Sequence, residues 1–335
     1  GTSPFYAVFR AAGLSREHAF QAWFVLLCAF NYCSAFLLLR HLTGSGVAAM
    51  AGAMVFAWSI ALHSQVGHAQ TFARFPIPLA FYFACRYSQS LRPRHLLFSL
   101  LAVVYQVWCG LYLGLLLIAP LALFYIWMVL FDWKRHLDCF RCRQWCLGAI
   151  GALALAALLL VPLLLPYLQR AGEMGFHHYQ DVVRSVPAAV SRIFSWRGSL
   201  FWNFLDFTYM ELPAYWDHLI FPGSVAILSA LILVVWMVIA VSGKNVHRYG
   251  LFFSFTMAMI CTWIFFTRFG TFSFYNVLYN FIPGYPSMRC ITRIINVELI
   301  FYAVATAFVV TRITVRRPWM TGAAFVLLLA SDHFV

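Results

Sequence analysis

Residues 145–168 read WCLGAIGALALAALLLVPLLLPYL, a run without a single Asp, Glu, Lys, Arg or His, with Arg141 and Arg143 before it and Arg170 after it. A helix of that length crosses the roughly 30 Å hydrocarbon core of a bilayer, so the run reads as a membrane span. Similar runs recur along the chain. Apolar windows between breakers place about ten membrane segments near 19–39, 46–62, 75–88, 95–108, 111–131, 145–168, 219–241, 249–267, 291–311 and 318–331. Two of these, 75–88 and 95–108, are short for a straight crossing and read as half-spans or bent helices buried among neighbours. The chain is 63% hydrophobic and 10% charged, against about a quarter charged in soluble domains. The expected fold class is an all-α integral membrane protein, a polytopic bundle of about ten helices forming one domain over 1–335, with one larger exoplasmic loop region at 169–218.

Charge gives the orientation. Arg40, then Arg86, Arg92 and Arg94, then Lys134, Arg135, Arg141 and Arg143, then Lys244 and Arg248, then Arg312, Arg316 and Arg317 occupy every second connection, with two acids, Asp132 and Asp138. Basic loops mark the cytoplasmic side, so 132–144 and 312–317 are expected inside and 169–218 and 268–290 outside. The net charge of +13 is spread over these short clusters rather than gathered on one polar module, which argues against a nucleic-acid partner. The nine cysteines form no extracellular disulfide framework and read as largely reduced. Gly1 is not a start methionine and 1–20 has no signal-peptide pattern, so the chain is expected to be a piece of a longer one.

The outer side collects polar groups. The loop 169–218 is rich in aromatics and mixed charge, unlike a Gly/Ser/Pro tether, and is expected to fold on the membrane surface. Its side also carries His63, Gln65, His68, Gln70 and Arg74, Tyr112 at the start of a span, and Tyr285, Arg289 and Arg293 in NFIPGYPSMRCITR at 280–293. Here Pro283, Gly284 and Pro286 make a turn, Ser287 is placed to cap the following helix, and Arg289 and Arg293 at i and i+4 would share one face of it. A helix start with two guanidiniums is a phosphate site. The same arginines could instead snorkel to lipid headgroups. Glu298, deeper on that helix, needs a proton or a partner.

Arg74 is a further candidate for phosphate contact, and His68, Gln70 and Tyr285 for substrate contact. Outer carboxylates are Glu17, Glu173, Asp181, Asp206, Glu211, Asp217 and Asp332, and spacing does not choose a catalytic base among them. Metal patterns are weak: His63 and His68 are five apart, and His136, Cys139, Cys142 and Cys146 run directly into a span. No metal ligand set and no cofactor is identified, while a role for a divalent metal stays open.

Six stretches in order, LLLRHLTGSGVAAMAGAMVFAWS, GHAQTFARFPIPLAFYFACRY, YQVWCGLYLG, LPYLQRAGE, FPGSVAIL and FIPGYPSMRCITRI, covering most of 35–300, together resemble the GT-C superfamily of membrane glycosyltransferases, in the bacterial branch near YfhO-like proteins. The resemblance implies a polyprenyl-phosphate sugar donor, inverting transfer to a glycan, lipid or protein acceptor in the cell envelope, and a place in the bacterial inner membrane. It also implies an essential acid in the first outer loop, which is expected upstream of Gly1, so the catalytic residue stays unassigned. A lipid or glycolipid transporter or flippase, or a non-catalytic membrane scaffold, are the alternatives.

Overall fold

The computed structural model describes residues 1–313 except 66, 207–211, 213 and 214, together with residue 332. Thirteen α-helices lie in this part: α1 (Ser3–Ala11), α2 (Arg16–Thr43), α3 (Gly46–Trp58), α4 (Pro76–Ser90), α5 (Pro93–Cys109), α6 (Leu111–Phe131), α7 (Trp133–Phe140), α8 (Arg143–Met174), α9 (Tyr179–Val182), α10 (Ser224–Ser242), α11 (Gly250–Phe265), α12 (Tyr275–Phe281) and α13 (Ile295–Ile313). The only strands among the described residues, β1 (Arg268–Phe269) and β2 (Phe272–Ser273), pair as a hairpin. The protein is helical and membrane-embedded.

The expected ten spans become seven among the described residues: Arg16–Thr43, Gly46–Gln65, Leu111–Phe131, Arg143–Arg170, Ser224–Ser242, Val246–Phe265 and Ile291–Ile313 are long and apolar enough to cross. The predicted segments 75–88 and 95–108 form α4 and α5, of 15 and 17 residues. Each begins with proline at its first turn, and the two pack together as a hairpin, so neighbouring helices rather than length keep them in the bundle. The predicted segment 318–331 lies outside the described residues.

Helix ends follow local chemistry. Ser15 caps α2 by accepting from His18 N at 3.2 Å, and Gly44 closes it in the left-handed region at φ 69°. Ser45 then caps α3 through Ala48 N at 3.3 Å. Pro120 sits inside α6, and Pro162 and Pro166 inside α8, as membrane helices tolerate.

The bundle is organised around α13, which packs on α3, α10, α11 and α2. Its span is 94% buried and that of α8 only 17%, so α13 is the central helix and α8 faces lipid. Small residues make the closest approach. A Cβ built on Gly52 of α3 would stand 2.4 Å from the Ala303 carbonyl oxygen and 2.6 Å from Leu39 Cδ1. Without a hydrophobic drive between helices in lipid, such backbone-close packing supplies much of the association.

Over the N-terminal end of α13, the segment after α8 is folded as an outer layer against the stretch between α11 and α13. Phe221 N donates to Phe194 O at 3.1 Å, Arg268 N to Pro187 O at 2.7 Å and His177 N to Pro286 O at 3.2 Å. His218 is fully buried there, its Nδ1 2.8 Å from Ser191 Oγ and its Nε2 3.3 Å from Arg184 O. Burial, with the nearby Arg268 charge, holds His218 below its ordinary pKa, while its bond to the Arg184 carbonyl and the Asp217 charge pull the other way. Asp332 accepts from Val225 N at 2.9 Å, Ser224 Oγ at 2.8 Å and Trp202 Nε1 at 3.0 Å, satisfying the first turn of α10 from far along the chain.

The partner of Glu298 comes from this outer layer. Arg192 donates from Nε to Glu298 Oε2 at 2.9 Å and from Nη2 to Oε1 at 2.5 Å, with Nη1 on Thr267 Oγ1 at 2.8 Å. The Glu298 carboxylate is wholly shielded from solvent.

Candidate functional site

The stretch from Pro283 to α13 is not the single capped helix that its spacing suggests. Tyr285–Ser287 is one 3-10 turn, Met288 and Cys290 have extended backbone, Ile291–Ile294 is a second 3-10 turn, and α13 begins only at Ile295. Ser287 is therefore too far from α13 to cap it, and Arg289 and Arg293 do not share a helical face. Outside contacts take up the backbone groups here, which is why the helix starts late. Arg289 N donates to the Tyr112 hydroxyl at 2.8 Å, and Ile291 N to Ser185 Oγ at 3.2 Å.

Both arginines touch Tyr112 on the first turn of α6, Arg289 through its backbone and Arg293 through its side chain. Arg289 binds the Tyr112 hydroxyl through its backbone, and the Arg293 guanidinium lies 5.1 Å from the centre of the Tyr112 ring. Arg289 Nε donates to His177 Nε2 at 3.2 Å. Behind Arg293, Asn296 Nδ2 donates to Gln65 Oε1 at 2.8 Å and to Arg293 O at 3.0 Å. Arg289 is exposed and Arg293 half-buried. The ion pairs among the described residues involve other arginines, so neither guanidinium is neutralised by a carboxylate there.

Arg74 and Tyr285 lie elsewhere. Arg74 is fully buried between α2 and α3: its N–H donates to Asn31 Oδ1 at 3.1 Å, Nη2 reaches Ala57 O at 3.2 Å, and the guanidinium stands 5.1 Å from the Phe56 ring centre. A ligand on the outer surface does not reach it. Tyr285 is buried too, its hydroxyl donating to Leu115 O at 3.1 Å and its ring stacked on Tyr275 at 5.8 Å. It anchors the loop onto α6, because the apolar turn it belongs to must be buried somewhere. His68 is half-buried and Gln70 exposed, on the connection from α3 to α4. The Gln70 carbonyl borders Gly110, two residues before Tyr112, while no hydrogen bond among the described residues joins either side chain to Arg289 or Arg293.

The structure also sorts the outer carboxylates. Asp206 pairs with Arg197, Glu173 with Arg170 at 4.0 Å, and Asp332 is spent on α10. Asp217, half-buried on the 3-10 turn Tyr215–His218 that packs against Ile291–Ile294, stands beside Cys290. Burial pushes the Cys290 thiol up to about 11, and the adjacent Asp217 charge adds to the rise. Glu211 lies outside the described residues. Among the described residues no three His, Cys, Asp or Glu side chains converge as a metal site. His136 Nδ1 lies 2.8 Å from Asp132 O and Cys146 Sγ donates to Phe140 O at 3.2 Å, so these two members of the predicted cluster are engaged separately.

The sequence pairs Arg289 with Arg293 and places Tyr112 on the same side, but it leaves Asp217 as one of seven outer carboxylates and gives no role to His177 or Asn296. A histidine pair after a span and a lone asparagine inside one carry no periodic signal. Comparison with family models, curated proteins and solved structures finds no significant match.

Proposed function

We propose that this chain is a GT-C-type glycosyltransferase of a bacterial inner membrane, moving a sugar from a polyprenyl-phosphate donor to an acceptor on the outer face. The observation that carries the reading is the pair Arg289 and Arg293, both in contact with Tyr112 near the start of the central helix, Arg289 through its backbone and Arg293 through its guanidinium, and neither in an ion pair among the described residues. Uncompensated guanidiniums at a lipid boundary suit a phosphate that arrives on a lipid, and arginine grips it through a planar fork.

In this reading the acceptor hydroxyl gives its proton to Asp217 and attacks the anomeric carbon with inversion. The bond from that carbon to the phosphate oxygen breaks, and its electron pair leaves on the polyprenyl phosphate. That phosphate gains one negative charge, which Arg289 and Arg293 stabilise more strongly than they do the donor. His177 holds Arg289 in place, and the Asn296–Gln65 bond holds the backbone of Arg293.

The test measures donor binding and polyprenyl-phosphate release with purified protein. Arg289→Ala and Arg293→Ala are expected to weaken donor binding about ten- to a hundredfold, the worth of one charged hydrogen bond. Asp217→Asn should cut turnover while leaving donor affinity near wild type. Normal donor binding by both alanine variants defeats the phosphate site, and lipid translocation across vesicles without sugar transfer assigns the chain to the transporters.

A further inference from the structure

A second cationic site lies at the opposite, basic end of the bundle. A groove of about 300 Å³ opens between α4 and α5, lined by Tyr82, Phe83, Arg86, Arg94, His95 and Phe98. We propose that it binds an anionic phospholipid of that leaflet, with the lipid phosphate between Arg86 and Arg94 and the first methylenes of its chain along Phe83 and Phe98.

Charge is the first argument. The positive charges of Arg86, Arg92 and Arg94 all bear on His95, and no Asp or Glu occurs between Glu17 and Asp132 in the sequence. Asp132, the first acid to follow, pairs with Arg135 at 3.7 Å, and Arg135 is itself turned to the carbonyls of Ser88 and Gln89 at 3.1 and 2.7 Å. The groove's cations thus lack an anion from the protein among the described residues. Arg86 has one neutral partner, the Tyr82 hydroxyl at 3.3 Å, and His95 is occupied by Ser90 Oγ at 2.7 Å. Arg94 is exposed and makes no hydrogen bond among the described residues.

Depth and shape select a lipid over a soluble anion. With 15 residues, α4 rises only about 22 Å at roughly 1.5 Å per residue, less than the ~30 Å of hydrocarbon. Arg86 lies about one turn before the end of this short helix, and the proposed lipid site sets it at the level of the headgroups and upper acyl chains. The cations lead directly to an aromatic wall, with Phe98 45% exposed, so a ligand there is charged at one end and apolar at the other. Anionic lipids are attracted to such basic pockets beside membrane helices.

The experiment uses the purified full chain in neutral detergent. It titrates phosphatidylglycerol against phosphatidylcholine of the same acyl chains, reading bound lipid by native mass spectrometry. Wild type is expected to hold phosphatidylglycerol about tenfold more tightly, and the double variant Arg86→Gln, Arg94→Gln to lose that preference. Lys244→Gln, at the same end on the turn between α10 and α11, should keep it. If the double variant fails to fold, Arg94→Gln alone serves, since its side chain supports nothing else, and should still lower the preference severalfold. Equal affinity of wild type for the two lipids, an unchanged preference in the folded arginine variants, or displacement by inorganic phosphate at the lipid's own concentration overturns the proposal. None of these readings depends on sugar transfer.

Discussion

Replacing Arg192 with Met removes the partner of a carboxylate that has no access to water. Both oxygens of Glu298 lose their donors at 2.5 and 2.9 Å, and Thr267 loses the guanidinium at 2.8 Å. Breaking a buried pair from one side costs about 3–5 kcal/mol, because the remaining ion must take a proton or stay desolvated. Replacing both members with apolar residues, Arg192→Met with Glu298→Leu, removes the stranded charge, and such swaps are often near neutral. The double variant is therefore expected to be more stable than Arg192→Met alone by about 2 kcal/mol or more, which is the non-additivity a double-mutant cycle reads. Denaturant unfolding in micelles, followed by tryptophan fluorescence, supplies the four free energies. Because Arg192 joins the outer layer to α13, the single variant should also open that layer to protease before the bundle unfolds. A single variant within about 1 kcal/mol of wild type, or a double variant no more stable than the single, refutes the argument that this pair clamps the layer.

Gly52→Ala should destabilise the bundle although alanine is the better helix former. Its Cβ would lie 2.4 Å from a backbone oxygen of α13, so a loss of about 1–3 kcal/mol is expected from overpacking, and unchanged or raised thermal stability would contradict the packing described. Burial lowers the pKa of His218 in the fold, so the unfolded layer binds more protons than the folded one between the lowered folded pKa and the ordinary value near 6.5. Stability of the layer is accordingly full above about 6.5 and falls as pH drops toward the folded pKa. Hydrogen exchange at 183–193 should speed up relative to the bundle helices at pH 5 compared with pH 7.5, and His218→Gln should abolish that difference.

Much of this molecule is local and therefore readable from the chain. A run such as 145–168 must be a membrane helix, since lipid offers no partner for unpaired backbone groups, and the break between the apolar windows 19–39 and 46–62 is where α2 ends and α3 begins. Hydropathy does not say which helix is central. The spans of α13 and α8 are both strongly apolar, yet one is buried and the other meets lipid, because lipid tails are as apolar as a protein interior. Pairings across long separations were equally invisible. Glu298 announces a need for a partner, and only the folded outer layer brings Arg192 to it. Spacing sets Arg289 and Arg293 on one helical face, whereas the tertiary contacts of Tyr112 and Ser185 hold that stretch out of the helix. Arg74, against Ala57 and Phe56, and Tyr285, against Leu115 and Tyr275, are buried for the same kind of reason, since a side chain's exposure is fixed by what packs over it, and that lies elsewhere in the sequence.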